Sequence, residues 1–195
     1  MITGTYKSIN SALKGLTNSL MTFGAPTNKP MLTRGLYNYG LTITNPAELI
    51  LPEVAEELNF KWDPKYAKFL WRWYISEYTS KSKVYTPKPQ LSKWFNNTDA
   101  HTAFKLLQED PYRTAWIYPE GPPIVAIGLR VEVPHLLELD APGALKMVVC
   151  ATKAISLFND FIYYQYCLGN FHAKIANTLE IPIGQCDYFL SYLYL

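Results

Sequence analysis

Apolar residues recur at helical spacing through Ile9, Leu13, Leu16 and Leu20, between a serine at position 8 and a glycine at position 24. Serine suits an N-cap and glycine a stop, so the pattern predicts a first helix of about four turns. After Pro26 and Pro30, residues 35–50 alternate around Leu41 and Ile43 and then reach Asn45-Pro46, which predicts a strand ending in a turn. Residues 64–76 are dense in large apolar side chains on more than one face, predicting a helix buried over most of its surface. Two prolines and several lysines make residues 81–90 an exposed loop, and residues 101–109 read as a short helix stopped by Asp110-Pro111. Three strands follow at 113–119, 128–133 and 145–150. Residues 158–179 carry Phe161, Tyr164, Leu168, Phe171, Ile175 and Leu179 at core-helix spacing despite Gly169, and residues 183–195 form an aromatic strand.

No internal repeat interrupts this order, so the expectation is one α+β domain over residues 1–195, a mixed sheet covered by helices. With 49% apolar and 15% aromatic residues the chain can fill a substantial core. The 18 basic and 16 acidic residues leave a formal charge of only +2 with no block of one sign, which argues against nucleic acid or a membrane surface as partner. Cys150, Cys167 and Cys186 are odd in number and lack metal-ligand spacing, so reduced thiols in a cytoplasmic protein are expected, with no metal. The amphipathic N-terminus lacks the pattern of a signal peptide, and no apolar run approaches the ~20 residues of a membrane span.

Several segments, taken in order, carry a resemblance. They are Thr33-Arg34-Gly35, LTITNPAELIL from residue 41, Lys68-Phe69-Leu70-Trp71, LQEDPYRTA from residue 107 and IANTLEIPIG from residue 175. Collinear over nearly the whole chain, they resemble thymidylate synthase and its relative deoxycytidylate hydroxymethylase. The resemblance implies a thymidylate-synthase-like fold, a pyrimidine nucleotide as ligand, and a dimer formed through the sheet with phosphate ligands shared across it.

That family's chemistry adds a cysteine thiolate to C6 of the pyrimidine, because a thiolate is a strong nucleophile that can leave again. Residues 113–149 contain no cysteine. The counterparts of the family's Pro-Cys are Pro123-Ile124 or Pro134-His135, and neither Ile124 nor His135 replaces a thiolate. Lys68 stands where the family has a proton-relaying glutamate, and Thr114 stands for the second arginine of Ser-Arg-Arg. No arginine follows Arg130, so the family's Arg-Ser-x-Asp falls on Thr152-Lys153, or in another register its last two positions fall on Asn159-Asp160. The family's His-x-Tyr gives way to Tyr194 and the chain end. Losing two of about four phosphate-binding arginines weakens binding by several kcal/mol, at ~1.5 to 3 per charge-assisted bond.

Arg34 and Arg113 remain as candidate phosphate ligands, with surface ion pairing as the plainer role. Asn159 and Asp160 are candidate pyrimidine readers or the cap of the long helix, and His135 is a lesser substrate-binding candidate. His172 reads as a packed helix residue, Cys150 as a buried neutral thiol, and Trp71, Trp73 and Tyr74 as core or dimer packing. No catalytic residue and no cofactor are expected. The expected function is a catalytically inactive thymidylate-synthase-like binding or assembly module, retaining weak nucleotide or phosphate binding. It would be a homodimer, or a heterodimer with an active family member to which it contributes Arg113. The rival is an active C5 methyl- or hydroxymethyltransferase with a non-standard nucleophile such as Cys150 or Cys167. Compact members of the family occur in viruses as well as cells.

Overall fold

The computed structural model describes residues 2–26, 34–74, 97–110, 112–119, 123–132 and 143–195. In chain order the elements are β1 (Ile2–Ser8), α1 (Ile9–Phe23), β2 (Gly35–Asn45), α2 (Pro52–Glu57), α3 (Pro64–Tyr74) and α4 (Asn97–Glu109). β3 (Ala115–Ile117), β4 (Ile124–Glu132), β5 (Ala144–Ser156), a π-helical turn (Leu157–Phe161), α5 (Ile162–Thr178) and β6 (Ile183–Tyr194) complete the chain. The expected 81–90 loop, Pro134-His135 and the side chains of Trp73 and Tyr74 lie outside the described residues.

The strands form one mixed sheet ordered β1-β2-β6-β5-β4-β3, in which β1 runs parallel to β2, β5 parallel to β6, and the other neighbours antiparallel. Inward positions such as Leu41, Ile43, Ile127, Leu129, Met147, Val149, Cys186 and Tyr188 are buried. They share one core with residues from all five helices, so the described helices gather on this inner face. Helix α1 lays Leu13, Leu16 and Leu20 on the sheet and starts at Ser8, whose hydroxyl accepts from Ser11 N while Ser11 returns a bond to the Ser8 amide.

Helix α5 lies across the middle of the sheet. The Gln165 side chain donates to Pro46 O at 2.8 Å and accepts from the Tyr188 hydroxyl, so the helix is fastened to both a turn and a strand. Gly169 explains itself here: a Cβ would stand 2.4 Å from Pro46 O, a backbone atom that cannot swing aside. Gly169→Ala is therefore expected to destabilise the fold by about 1–3 kcal/mol, against alanine's helix-propensity advantage of roughly 1 kcal/mol. A urea titration checks it, and an unchanged or raised midpoint refutes the close approach.

Three sequence expectations change. Among its described side chains, helix α3 buries only Ala67, Phe69 and Leu70 fully, while Lys65, Lys68 and Arg72 form an exposed stripe, so over residues 64–72 it is amphipathic rather than buried over most of its surface. Neither Asn159 nor Asp160 caps the long helix alone. Ser156 is the N-cap of the π-helical turn, its hydroxyl accepting from Asn159 N at 3.3 Å while the Asp160 carboxylate accepts from Ser156 N at 3.1 Å. Finally, β1 and α2 are elements beyond those expected from the sequence.

A kink crosses three strands at one level. Asn38 in β2 has φ 48, a left-handed backbone that asparagine tolerates better than most residues. Ser191 Oγ in β6 donates to Ala151 O at 2.9 Å, and the pairing of β5 with β6 shifts between Ala151 and Ala154. The kink opens a recess of about 210 Å³ on the outer face, lined by residues including Asn38, Cys150, Thr152, Phe189 and Ser191.

Candidate functional site

The end of the sheet where β5 and β6 finish collects most of the candidate residues. Tyr194 pairs with Gly35 on one side and Ser156 on the other, and Leu195 N donates to Arg34 O at 3.3 Å. Arg34 is thereby fixed beside the chain end. Its guanidinium Nη1 donates to Met21 O in the last turn of α1, where helix carbonyls carry partial negative charge.

Asp160 sits on the π-helical turn next to this rim. Burial pushes its carboxyl up from the usual range, partly offset by the bond from Ser156 N. Burial first, and then the Asp160 charge, raises the Tyr66, Tyr164 and Tyr194 phenols, so all three remain protonated donors at neutral pH. Asn159 is exposed, with its side-chain amide donating to Ser156 Oγ at 3.1 Å. Among the described residues the rim thus offers one cation, one half-buried carboxylate and several phenols, a hydrogen-bonding set without a nucleophile and base in contact.

Arg113 is not part of this rim. It follows the turn closed by its amide bond to Asp110 O at 3.1 Å and precedes β3, the far edge strand. Four strand spacings separate β2 from β3, ~19 Å. Ala115 is level with Leu129 and Met147, whereas Arg34 is level with Ser156, about nine residues or ~30 Å along β5. One chain therefore holds the two arginines at opposite corners of the sheet. Ile124, a candidate counterpart of the family nucleophile, is buried in the core, and His135 lies outside the described residues. Lys68 faces a cleft with Trp62, Lys65 and Tyr166 that none of the rim residues lines.

The three cysteines are free thiols, and Cys150, expected to be buried, is instead half-buried on the outer face beside Thr152 and Phe189. Burial raises all of them, and Cys167 and Cys186 are fully enclosed. Each is a neutral thiol at pH 7. The buried His172 points away from such use, with Nε2 at 2.5 Å from Leu145 O. Among the described residues no group of three or more His, Cys, Asp or Glu is placed to hold a metal, and no helix is long and apolar enough to cross a membrane.

The outer face of the sheet is where sequence reasoning saw least. Lys146 bonds Asp187 at 3.0 Å and Glu132 at 3.3 Å, Arg130 pairs with Glu132, and Thr42 Oγ1 donates to Asp187 at 2.7 Å. Burial works against both charged forms, but the partners outweigh it: Lys146 is held above its usual range and Glu132 below. Around this network Phe189 and Trp116 are each 45% exposed. The available signal was the alternation itself. In β5 and β6 the positions of Lys146, Val148, Cys150, Asp187 and Phe189 point opposite to the buried ones.

No protein-family model and no curated protein matches the chain. Among solved structures, the crystal structure of thymidylate synthase from T4 phage superposes with a TM-score of 0.65 at 10% identity, covering 93% of this chain and 75% of that one. The mixed six-stranded sheet, with its helices on one face, is a thymidylate-synthase-like α+β fold in a single domain.

Proposed function

We propose that this chain is a thymidylate-synthase-like assembly module without the family's catalysis, pairing through the outer face of its sheet with a second copy or with an active family member. The observation that carries the reading is that face, where Phe189 lines a recess and Trp116 stands exposed on the edge strand, while Lys146, Arg130, Glu132 and Asp187 already neutralise one another. Charges paired within the chain can be covered without stranding one, which avoids the larger cost of an uncompensated buried charge, although the pairs still lose hydration. Six strands at ~4.8 Å by ~30 Å present about 860 Å² per chain, close to the ~800 Å² per partner of a standard interface.

The absence of catalysis rests on the thiols. No cysteine occurs in residues 113–149, and burial holds the three elsewhere in their neutral form. A phosphate gripped by both candidate arginines would need Arg34 from one copy and the partner's Arg113, since one chain keeps them at opposite corners.

Light scattering on the purified protein is expected to give the mass of two chains. Phe189→Arg places a cation twice at a two-fold contact and should raise the dissociation constant by about a hundredfold or more, whereas Phe23→Arg at the exposed end of α1 should not. A monomeric wild type that also fails to join an active family member, or a Phe189→Arg dimer of unchanged affinity, refutes the interface. Release of tritium from C5 of labelled dUMP or dCMP that is abolished by Cys150→Ala would replace this reading with the enzyme.

A further inference from the structure

A second concave site lies in the helical layer, independent of the sheet face. The stretch after β2 turns at Asn45 and carries Leu49 and Pro52 past the start of α3, leaving a cleft of about 450 Å³, within the usual range of small-molecule sites. Two rings shape it. Trp62 stacks on Tyr163 with centroids 5.2 Å apart and meets Tyr166 at 5.9 Å and 59°, so the indole is held from behind by α5. Indole and phenol supply flat apolar surface, and Leu49 and Pro52 close the opposite side.

One edge of this apolar cleft is cationic. Lys65 and Lys68 are three residues apart on α3 and so share a face. Among the described residues, none that lines the cleft is acidic and neither ammonium is in an ion pair. Two nearby carboxylates are held by other donors: Asp63 accepts from Lys65 N at 2.9 Å and Tyr66 N at 3.1 Å, and Glu48 accepts from Asn10 Nδ2 at 3.2 Å.

We infer that this cleft binds a small aromatic acid, its ring against Trp62 and Tyr166 and its anionic group between Lys65 and Lys68. The ring supplies the apolar burial and the two ammonium groups select against a neutral molecule of the same shape. Neither Arg34, Asp160 nor the outer sheet face takes part, so this site stands or falls apart from the assembly reading.

The test titrates the full chain with 2-naphthoate and its neutral counterpart 2-naphthamide by calorimetry, on wild type, Lys65→Gln/Lys68→Gln and Leu49→Glu. Both variants alter exposed positions and leave the core intact. Naphthoate should bind one to one and about tenfold more tightly than naphthamide, the worth of two partly solvated ion pairs. The double lysine variant should erase that difference by weakening naphthoate alone, and Leu49→Glu should weaken naphthoate further than naphthamide. No naphthoate binding, equal affinity for acid and amide, or affinities indifferent to the lysines would each overturn the inference.

Discussion

Replacing Phe161 by alanine is expected to lower the unfolding free energy by about 3–5 kcal/mol, the range for deleting a fully buried aromatic side chain. Phe161 is 1% exposed and meets Tyr188 edge to face, with centroids 5.4 Å apart at 68°. That contact joins the π-helical turn to the middle of β6, and the Tyr188 hydroxyl then donates to Gln165 on α5. A cavity here would open between the sheet and its central helix. The surroundings have little freedom to collapse into it, because Gln165 is also tied to Pro46 O at 2.8 Å. Denaturant unfolding of Phe161→Ala beside Phe161→Leu should show the alanine variant losing most and leucine much less. A cost below about 1 kcal/mol for alanine would mean that the turn is not locked to β6 as described.

The long, periodic elements were legible because their burial is local. Helix α1 has its apolar stripe, its Ser8 cap and its Gly24 stop within one stretch, and β6 announces itself by its aromatic alternation. Strand β1 was hidden because an edge strand is half solvated, and Thr3, Thr5 and Lys7 leave only Ile2 and Tyr6 as large apolar positions. The true start of β4 lies in an apolar run, Ile124 to Ile127, whose period is masked by a register shift between Ile124 and Ala126. Strand β5 runs on to Ser156 through Thr152 and Lys153, which read as polar but stand outward at the kink.

The site was less legible, for a related reason. The family pattern located Arg34, Arg113, Asn159 and Asp160 along the chain, but spacing in sequence cannot report that β2 and β3 are separated by three intervening strands. The outer-face network depends on pairs such as Thr42 with Asp187, which are 145 residues apart. The balance of its charges becomes visible only when β2, β6, β5 and β4 are laid side by side. What the sequence conveys by itself is that residues 113–149 hold no cysteine, because the absence of a residue type from a whole window needs no register to be read.

Stability should fall by about 3 kcal/mol between pH 7 and pH 4 through His172 alone. Its side chain is fully buried, with Nε2–H donating to Leu145 O at 2.5 Å and Nδ1 buried without a partner among the described residues. Protonation would place a cation there with nothing to accept its second N–H, so burial pushes the imidazole down from 6.5 to about 4, the Leu145 bond offsetting only part. A histidine whose folded value is depressed binds fewer protons folded than unfolded between those two values. Its contribution is therefore fully present above about pH 6.5, is lost as pH falls toward 4, and changes little below that, at 1.36 kcal/mol per unit. Other groups titrate in the same window, Asp160 with a raised carboxyl and Glu132 with a lowered one, so the comparison must hold them constant. His172→Gln does so, since its side-chain amide can still donate to Leu145 O and has no proton to gain. Urea midpoints at pH 7, 5.5 and 4 should fall steeply for the wild type and distinctly less for the glutamine variant. Parallel slopes would show that His172 is charged or solvated in the folded chain, and that its contact between α5 and the start of β5 is not the one described.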